Sequence, residues 1–187
     1  MTADDKPWRR INKEVVFTTK IFNLNMERSE CVRTRATQDF YYIDCCNWVN
    51  VIAVTPEAQL IMIRQYRHGS DIFELEIPGG GIDAQDSDPV AAGIRELLEE
   101  TGYAGQHGKI IGRVCPNPAL QSNFCFTVML TDCVKVSAPQ LEDTEEISLE
   151  IYPSNAVRDL ITSGQIQHGL VLNALHFFEI QQQQGLL

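Results

Sequence analysis

Three glutamates, Glu96, Glu99 and Glu100, stand three and four positions apart in a stretch with helical character. On a helix such residues are neighbours, and like charges on one arc repel. Arg95, four before Glu99, is the only cation from 89 to 101. Such an arc is either a solvated acidic face or a cluster that holds a hard cation. Carboxylate oxygens on a fixed scaffold suit Mg²⁺, Mn²⁺ or Ca²⁺. Just upstream lies Pro78-Gly79-Gly80-Gly81. A glycine there lets backbone approach a ligand closely, which is the reading for Gly79; Gly80 and Gly81 read as a tight turn with positive φ. Arg67, in Gln65-Tyr66-Arg67, offers a guanidinium that can grip phosphate with two parallel hydrogen bonds. Its bland alternative is an ion pair with Asp71 or Glu74. A further acidic run, EDTEE at 142–146, completes the chemistry-bearing residues.

The elements that must position these groups can be read locally. Asp88 can cap a helix with its carboxylate, Pro89 suits the first helical position, and Gly102 suits the left-handed stop. At about 100° per residue, Val90, Ala91, Ile94, Leu97 and Leu98 share one side and the glutamates the other. Residues 14–45 alternate as strands of an antiparallel meander, with Trp8 ahead of them anchoring the N-terminus by burial. VNVIAV at 49–54 fits a strand buried on both faces. After a turn at 55–58, QLIMIRQ at 59–65 returns as its partner. FELEI at 73–77 places Glu74 and Glu76 on one face. Further strands are expected at 109–115, 123–131 and 147–152, and helices at 153–163 and 167–183. This mixture predicts an α/β arrangement with helices on both faces of a mixed sheet.

The chain has 187 residues, 44% apolar, enough for one domain with a real core. A formal net charge of -10 argues against nucleic acid as partner, because phosphate backbones call for a basic face. No apolar run approaches membrane-spanning length, and the polar N-terminus lacks a signal peptide's apolar stretch; both point to the cytoplasm. Six cysteines occur without a C-x-x-C pair, so zinc is not expected. An anionic substrate on so acidic a protein would need divalent cations between them.

The nine residues at 95–103, RELLEETGY, resemble the second half of the Nudix box: Arg-Glu-apolar-any-Glu-Glu-any-Gly-apolar. The first half of that signature is a glycine, five residues, a glutamate and seven residues. Here it departs. Counting back from Arg95 puts Ser87 at the glutamate position, and counting forward from Gly80 puts Asp86 there, as though one residue were inserted. Gln65-Tyr66-Arg67, Trp48-Val49-Asn50-Val51 and Pro116-Asn117-Pro118-Ala119 resemble motifs of the family's ADP-ribose and nucleotide-sugar pyrophosphatase branch.

The resemblance implies a mixed-sheet α/β/α sandwich at 47–187, preceded at 1–46 by a meander that helps build a homodimer. It implies hydrolysis of ADP-ribose or a nucleoside diphosphate sugar to a nucleoside monophosphate and a sugar phosphate, with Mg²⁺ or Mn²⁺. Cleavage of dinucleoside polyphosphates or damaged nucleoside triphosphates, and a binder without turnover, stand as alternatives. Carried over residue by residue, Gly79, Glu96, Glu99 and Glu100 would hold metal, with Glu99 alternatively positioning the water. Arg95 would hold the glutamates in place, and Glu145 or Asp143 would supply the loop acid or base. Arg67, Glu76 and Trp48 would meet the substrate, Glu76 alternatively standing behind it and Trp48 alternatively filling the core. Arg33 and Arg35 could reach a partner subunit's substrate.

Overall fold

A computed structural model describes residues 6–185 of the chain. Two compact units form: the chain up to Cys46 together with Cys115–Asn123, and Asn47–Val114 together with Phe124–Leu187.

In the first unit, β1 (Trp8–Thr18), β2 (Asn23–Cys31) and β3 (Thr37–Asp44) make an antiparallel meander in the order β1-β2-β3. The meander therefore starts six residues earlier than the sequence suggested. All eleven residues of β1 are exposed. Trp8 does not bury itself as expected: it is 38% exposed and meets Phe40 edge to face at 4.9 Å. On a strand exposed along its length, a bulky side chain can cover only its cross-strand neighbours.

The second unit contains β4 (Trp48–Ala53), β5 (Gln59–Arg67), β6 (Ile72–Glu76), β7 (Gly79–Gly81), α1 (Pro89–Thr101), β8 (Tyr103–Val114), β9 (Cys125–Lys135), β10 (Ile147–Pro153), α2 (Val157–Thr162) and α3 (Gly169–Gln183). One sheet runs β7-β4-β9-β8 and is mixed, β4 lying parallel to β9. The other runs β10-β5-β6 and is antiparallel. The apolar run at 49–54, predicted to be a strand buried on both faces, is so for a visible reason, and its neighbours share it. Side chains alternate across a strand. Val49, Val51, Ala53, Ile61, Val128 and Leu130 face a core shared with Ala92 and Leu97 of α1. Ile52, Leu60, Met62 and Met129 face the opposite core, closed by Leu160 of α2 and Val171, Ala174, Leu175 and Phe178 of α3. The expected α/β sandwich of helices over mixed strands is what forms.

Several local expectations need correction. Strand β5 does not pair along β4; a single bridge, Val54↔Leu60, joins them, and β5 lies between β6 and β10. Apolar strands covered on both faces carry no signal for which neighbour they choose. β8 starts at Tyr103, directly after α1. The helix expected at 153–163 splits into a 3-10 turn at Ser154–Ala156 and the short α2, ending near Gly164 with φ 75°. All six cysteines are free thiols, Cys125 and Cys133 buried among apolar side chains; burial pushes both thiols up, to about 12 and about 11.

Candidate active site

The site is built on α1, and both helix ends are set locally. The Asp88 carboxylate accepts from the amides of Val90 at 2.8 Å and Ala91 at 2.9 Å, with Pro89 following. Gly102, at φ 70°, donates its N–H to Leu98 O at 2.8 Å. Lys135 donates to Thr101 O, a cation where the helix dipole favours one. Burying Leu97 fully contributes about 2 kcal/mol to docking the helix.

Which face α1 buries differs from the expectation. Ile94 is 41% exposed, while Ala92, Gly93, Leu97, Glu100 and Thr101 are buried. Gly93 packs closely there: a Cβ would sit 3.2–3.3 Å from Val51 and Val128, tight enough that these side chains would have to shift. Glu100 thus lies within the buried arc, only 4% exposed. Glu100 therefore belongs to the inward side of the helix and Glu96 lies at its edge, with its side chain 13% exposed, whereas Glu99 keeps a side chain 45% exposed.

Opposite them runs β7. Gly79, Gly80 and Gly81 form no positive-φ turn; they are extended and pair antiparallel with Asn50, Val49 and Trp48 of β4. Their lack of side chains serves proximity instead. A Cβ on Gly80 would fall inside the Glu96 carboxylate, 2.6 Å from its Cδ, and one on Gly79 would collide with Val49 O. Gly79 N–H donates to Glu100 Oε2 at 3.0 Å.

The electrostatics follow from this packing. Burial pushes the Glu100 carboxyl up to about 8, the charges of Glu96 and Glu145 adding to the shift, while the Gly79 amide and Arg67 oppose it. Burial likewise pushes Glu96 up to about 6, with Arg95 opposing and Glu99 and Glu145 adding. Buried carboxylates that mutually disfavour ionisation form a donor set that a hard divalent cation would satisfy. Among the described residues, however, no three acidic, histidine or cysteine side chains close on a metal position by themselves. Arg95 lies against two of the three: its Nη1 donates to Glu96 Oε1 and to Glu99 Oε2, both at 3.0 Å. Its other edge meets Asp86 and Gly81 O.

The remaining candidates divide. Glu145 is half-buried in the 142–146 loop, and its charge reaches Glu96 and Glu100. Asp143 is exposed in the turn and, among the described residues, bonds to none of the three helix glutamates. Arg67 pairs neither with Asp71 nor with Glu74: its Nε and Nη2 donate to Glu76 at 2.7 and 2.8 Å, while Asp71 accepts from the Tyr66 hydroxyl. Glu76 is 3% exposed. Trp48, on β4 beside Gly81, is half-buried and stands outside both core clusters. Sequence reasoning missed the contact of Asp86 with Arg95. The aspartates at 83, 86 and 88, facing one arginine in sequence, were the available signal.

This fold, with an acidic helix packed against a glycine strand, has known counterparts. Residues 47–173 match the NUDIX domain. The chain belongs to the Nudix family and is a Nudix hydrolase, acting on pyrophosphate bonds. It is 26% identical over 177 residues to an ADP-ribose pyrophosphatase of Bacillus subtilis, covering 89% of this chain and 95% of the relative. A mouse ADP-sugar pyrophosphatase is 39% identical over 72 residues, 38% of this chain and 32% of that protein. The methanol dehydrogenase activator of Bacillus methanolicus is 23% identical over 175 residues, 93% and 94% of the two chains. A solved structure described as an ADP compounds hydrolase shares the fold with a TM-score of 0.83 at 20% identity, covering 96% of this chain and 97% of that one.

Proposed function

We propose that this chain is a divalent-cation-dependent pyrophosphatase that hydrolyses ADP-ribose or a nucleoside diphosphate sugar to a nucleoside monophosphate and a sugar phosphate. The observation that carries the reading is the pair of Glu96, largely enclosed, and Glu100, buried, both held against the glycine strand with the Glu145 carboxylate acting on them. Glu96, Glu99, Glu100 and the Gly79 backbone would hold Mg²⁺ or Mn²⁺. When bound, the cation neutralises pyrophosphate charge and favours attack by water.

The chain's own residues do the rest. Gly79 N–H fixes the Glu100 rotamer. Arg95 orients Glu96 and Glu99. Glu145 is the loop acid that would take the proton of the attacking water, because it is half-buried and its charge reaches Glu96 and Glu100, whereas Asp143 is exposed in the turn. Arg67 offers a guanidinium that Glu76 preorganises for phosphate. Trp48, not being core, is available to a substrate ring. The relatives' names support an ADP-linked substrate. The exposed apolar side chains of β1, Ile11, Val15, Val16 and Phe17, support a homodimer through the meander. With a net charge of -10, the partner is a small nucleotide rather than nucleic acid, in the cytoplasm.

The test is incubation with Mg²⁺ or Mn²⁺ and a panel of ADP-ribose and nucleoside diphosphate sugars, reading release of nucleoside monophosphate. Release that disappears in Glu99→Gln is expected. No release from any of them overturns the reading.

A further inference from the structure

We infer that Asp86 is a positioning residue that keeps Arg95 from competing with a cation for the helix glutamates, a role resting on the divalent-cation reading above. The linker from 83 to 88 is exposed except at this residue, whose side chain is only 6% exposed. Asp86 Oδ1 accepts from Arg95 Nε at 3.2 Å, and Oδ2 accepts from Nη2 at 3.0 Å. Oδ2 also accepts from the Asp83 amide at 2.8 Å, which pins the carboxylate. Gly81 O takes a further hydrogen bond from Nη2 at 3.0 Å.

The guanidinium is thereby shared by division. Its Nε and Nη2 edge is spent on Asp86 and Gly81, and only Nη1 faces the helix. Nη1 touches one oxygen of Glu96 and one of Glu99. The other oxygen of each carries no arginine contact. An arginine released from Asp86 could instead grip either glutamate with both of its forked N–H groups, the strongest geometry open to that pair. A cation would then have to break two charge-assisted hydrogen bonds to bind. No glutamate stands at the Nudix-box spacing, where this chain has Ser87; Asp86, a residue earlier, supplies the carboxylate.

The experiment is titration of the full chain with Mn²⁺ in the absence of substrate, followed by electron paramagnetic resonance, on the wild type, Asp86→Asn, Asp86→Glu, Arg95→Gln and the Asp86→Asn/Arg95→Gln double variant. Asp86→Asn is expected to weaken Mn²⁺ binding by about 10–100-fold, the usual effect of losing a group that orients a ligand. Asp86→Glu, which keeps the charge, should retain most of the affinity. With Arg95 already replaced, Asp86→Asn should change nothing, because the aspartate acts only through the guanidinium. This last comparison stands even if Asp86→Asn alone does not fold. Wild-type affinity in a folded Asp86→Asn, or the same loss in the Arg95→Gln background, overturns the proposal. A wild type that binds no Mn²⁺ overturns the cation reading itself, and this inference with it.

Discussion

The amide of Gly79 donates to Glu100 Oε2 at 3.0 Å, so a backbone group of strand β7 holds the most buried carboxylate of helix α1. The contact joins two segments twenty-one residues apart in the chain. It also explains why neither partner is free to move. Gly79 is fixed by pairing with Asn50 of β4, and Glu100 is fixed by a helix capped at both ends.

Gly80, the next residue of that strand, leaves no room for a methyl group, since its Cβ would lie 2.6 Å from Glu96 Cδ. The obstacle is the end of a side chain, so Gly80→Ala should fold and displace the Glu96 carboxylate. Because misplacing a reacting group by about 1 Å can cost about a hundredfold, kcat/KM should fall by roughly that factor with little change in melting temperature. Steady-state kinetics beside a thermal melt checks this. Unchanged kcat/KM would show that Glu96 has no catalytic position to lose.

The Glu100 carboxyl predicts an unusual pH dependence for the metal-free protein. Its ordinary value is 4.5, and burial pushes it to about 8 in the folded chain. The folded state therefore binds the proton more tightly than the unfolded state, and between these values it holds more of it. Stability contributed by this group must then fall as pH rises from about 4.5 to about 8. Calorimetry in a chelator should show a higher melting temperature near pH 5 than near pH 8. Glu100→Gln should flatten that slope, and Mn²⁺ should remove it in the wild type. An identical slope in Glu100→Gln would refute the assignment.

The Arg67–Glu76 pair is asymmetric, with Arg67's side chain 40% exposed and Glu76's 3% exposed. Removing the arginine strands a buried charge, whereas removing the glutamate leaves a guanidinium that can turn to water. Arg67→Ala should cost about 3 kcal/mol and Glu76→Ala only about 1 kcal/mol, the second value discounted for solvent screening. Urea denaturation of both variants measures the difference. Equal losses would contradict the asymmetry.

The limits of α1 were legible in the sequence because caps are local. Asp88, Pro89 and Gly102 act on backbone groups within four residues of themselves, and the structure uses each as expected. The nearly continuous apolar run at 49–54 likewise specified a strand covered on two sides, and Val49, Val51 and Ala53 face one core while Ile52 faces the other. The run from Arg95 to Tyr103 was enough to place the chain in its family, since that signature is contiguous.

Tertiary structure decided the rest. Whether Glu100 faces water or the core depends on what packs against α1, and the helical wheel around Ile94 pointed the wrong way. The reason for Gly80 became visible only once Glu96 lay across from it; from sequence, a conformational need and a spatial one look alike. The partners of Arg67 and of Arg95 were likewise chosen in space. Several carboxylates lay within reach along the chain, and only the register of β5 with β6 and the path of the 83–88 linker singled out Glu76 and Asp86. Interactions closed within a few residues are written in the order of amino acids, whereas those between distant segments depend on which surfaces burial brings together.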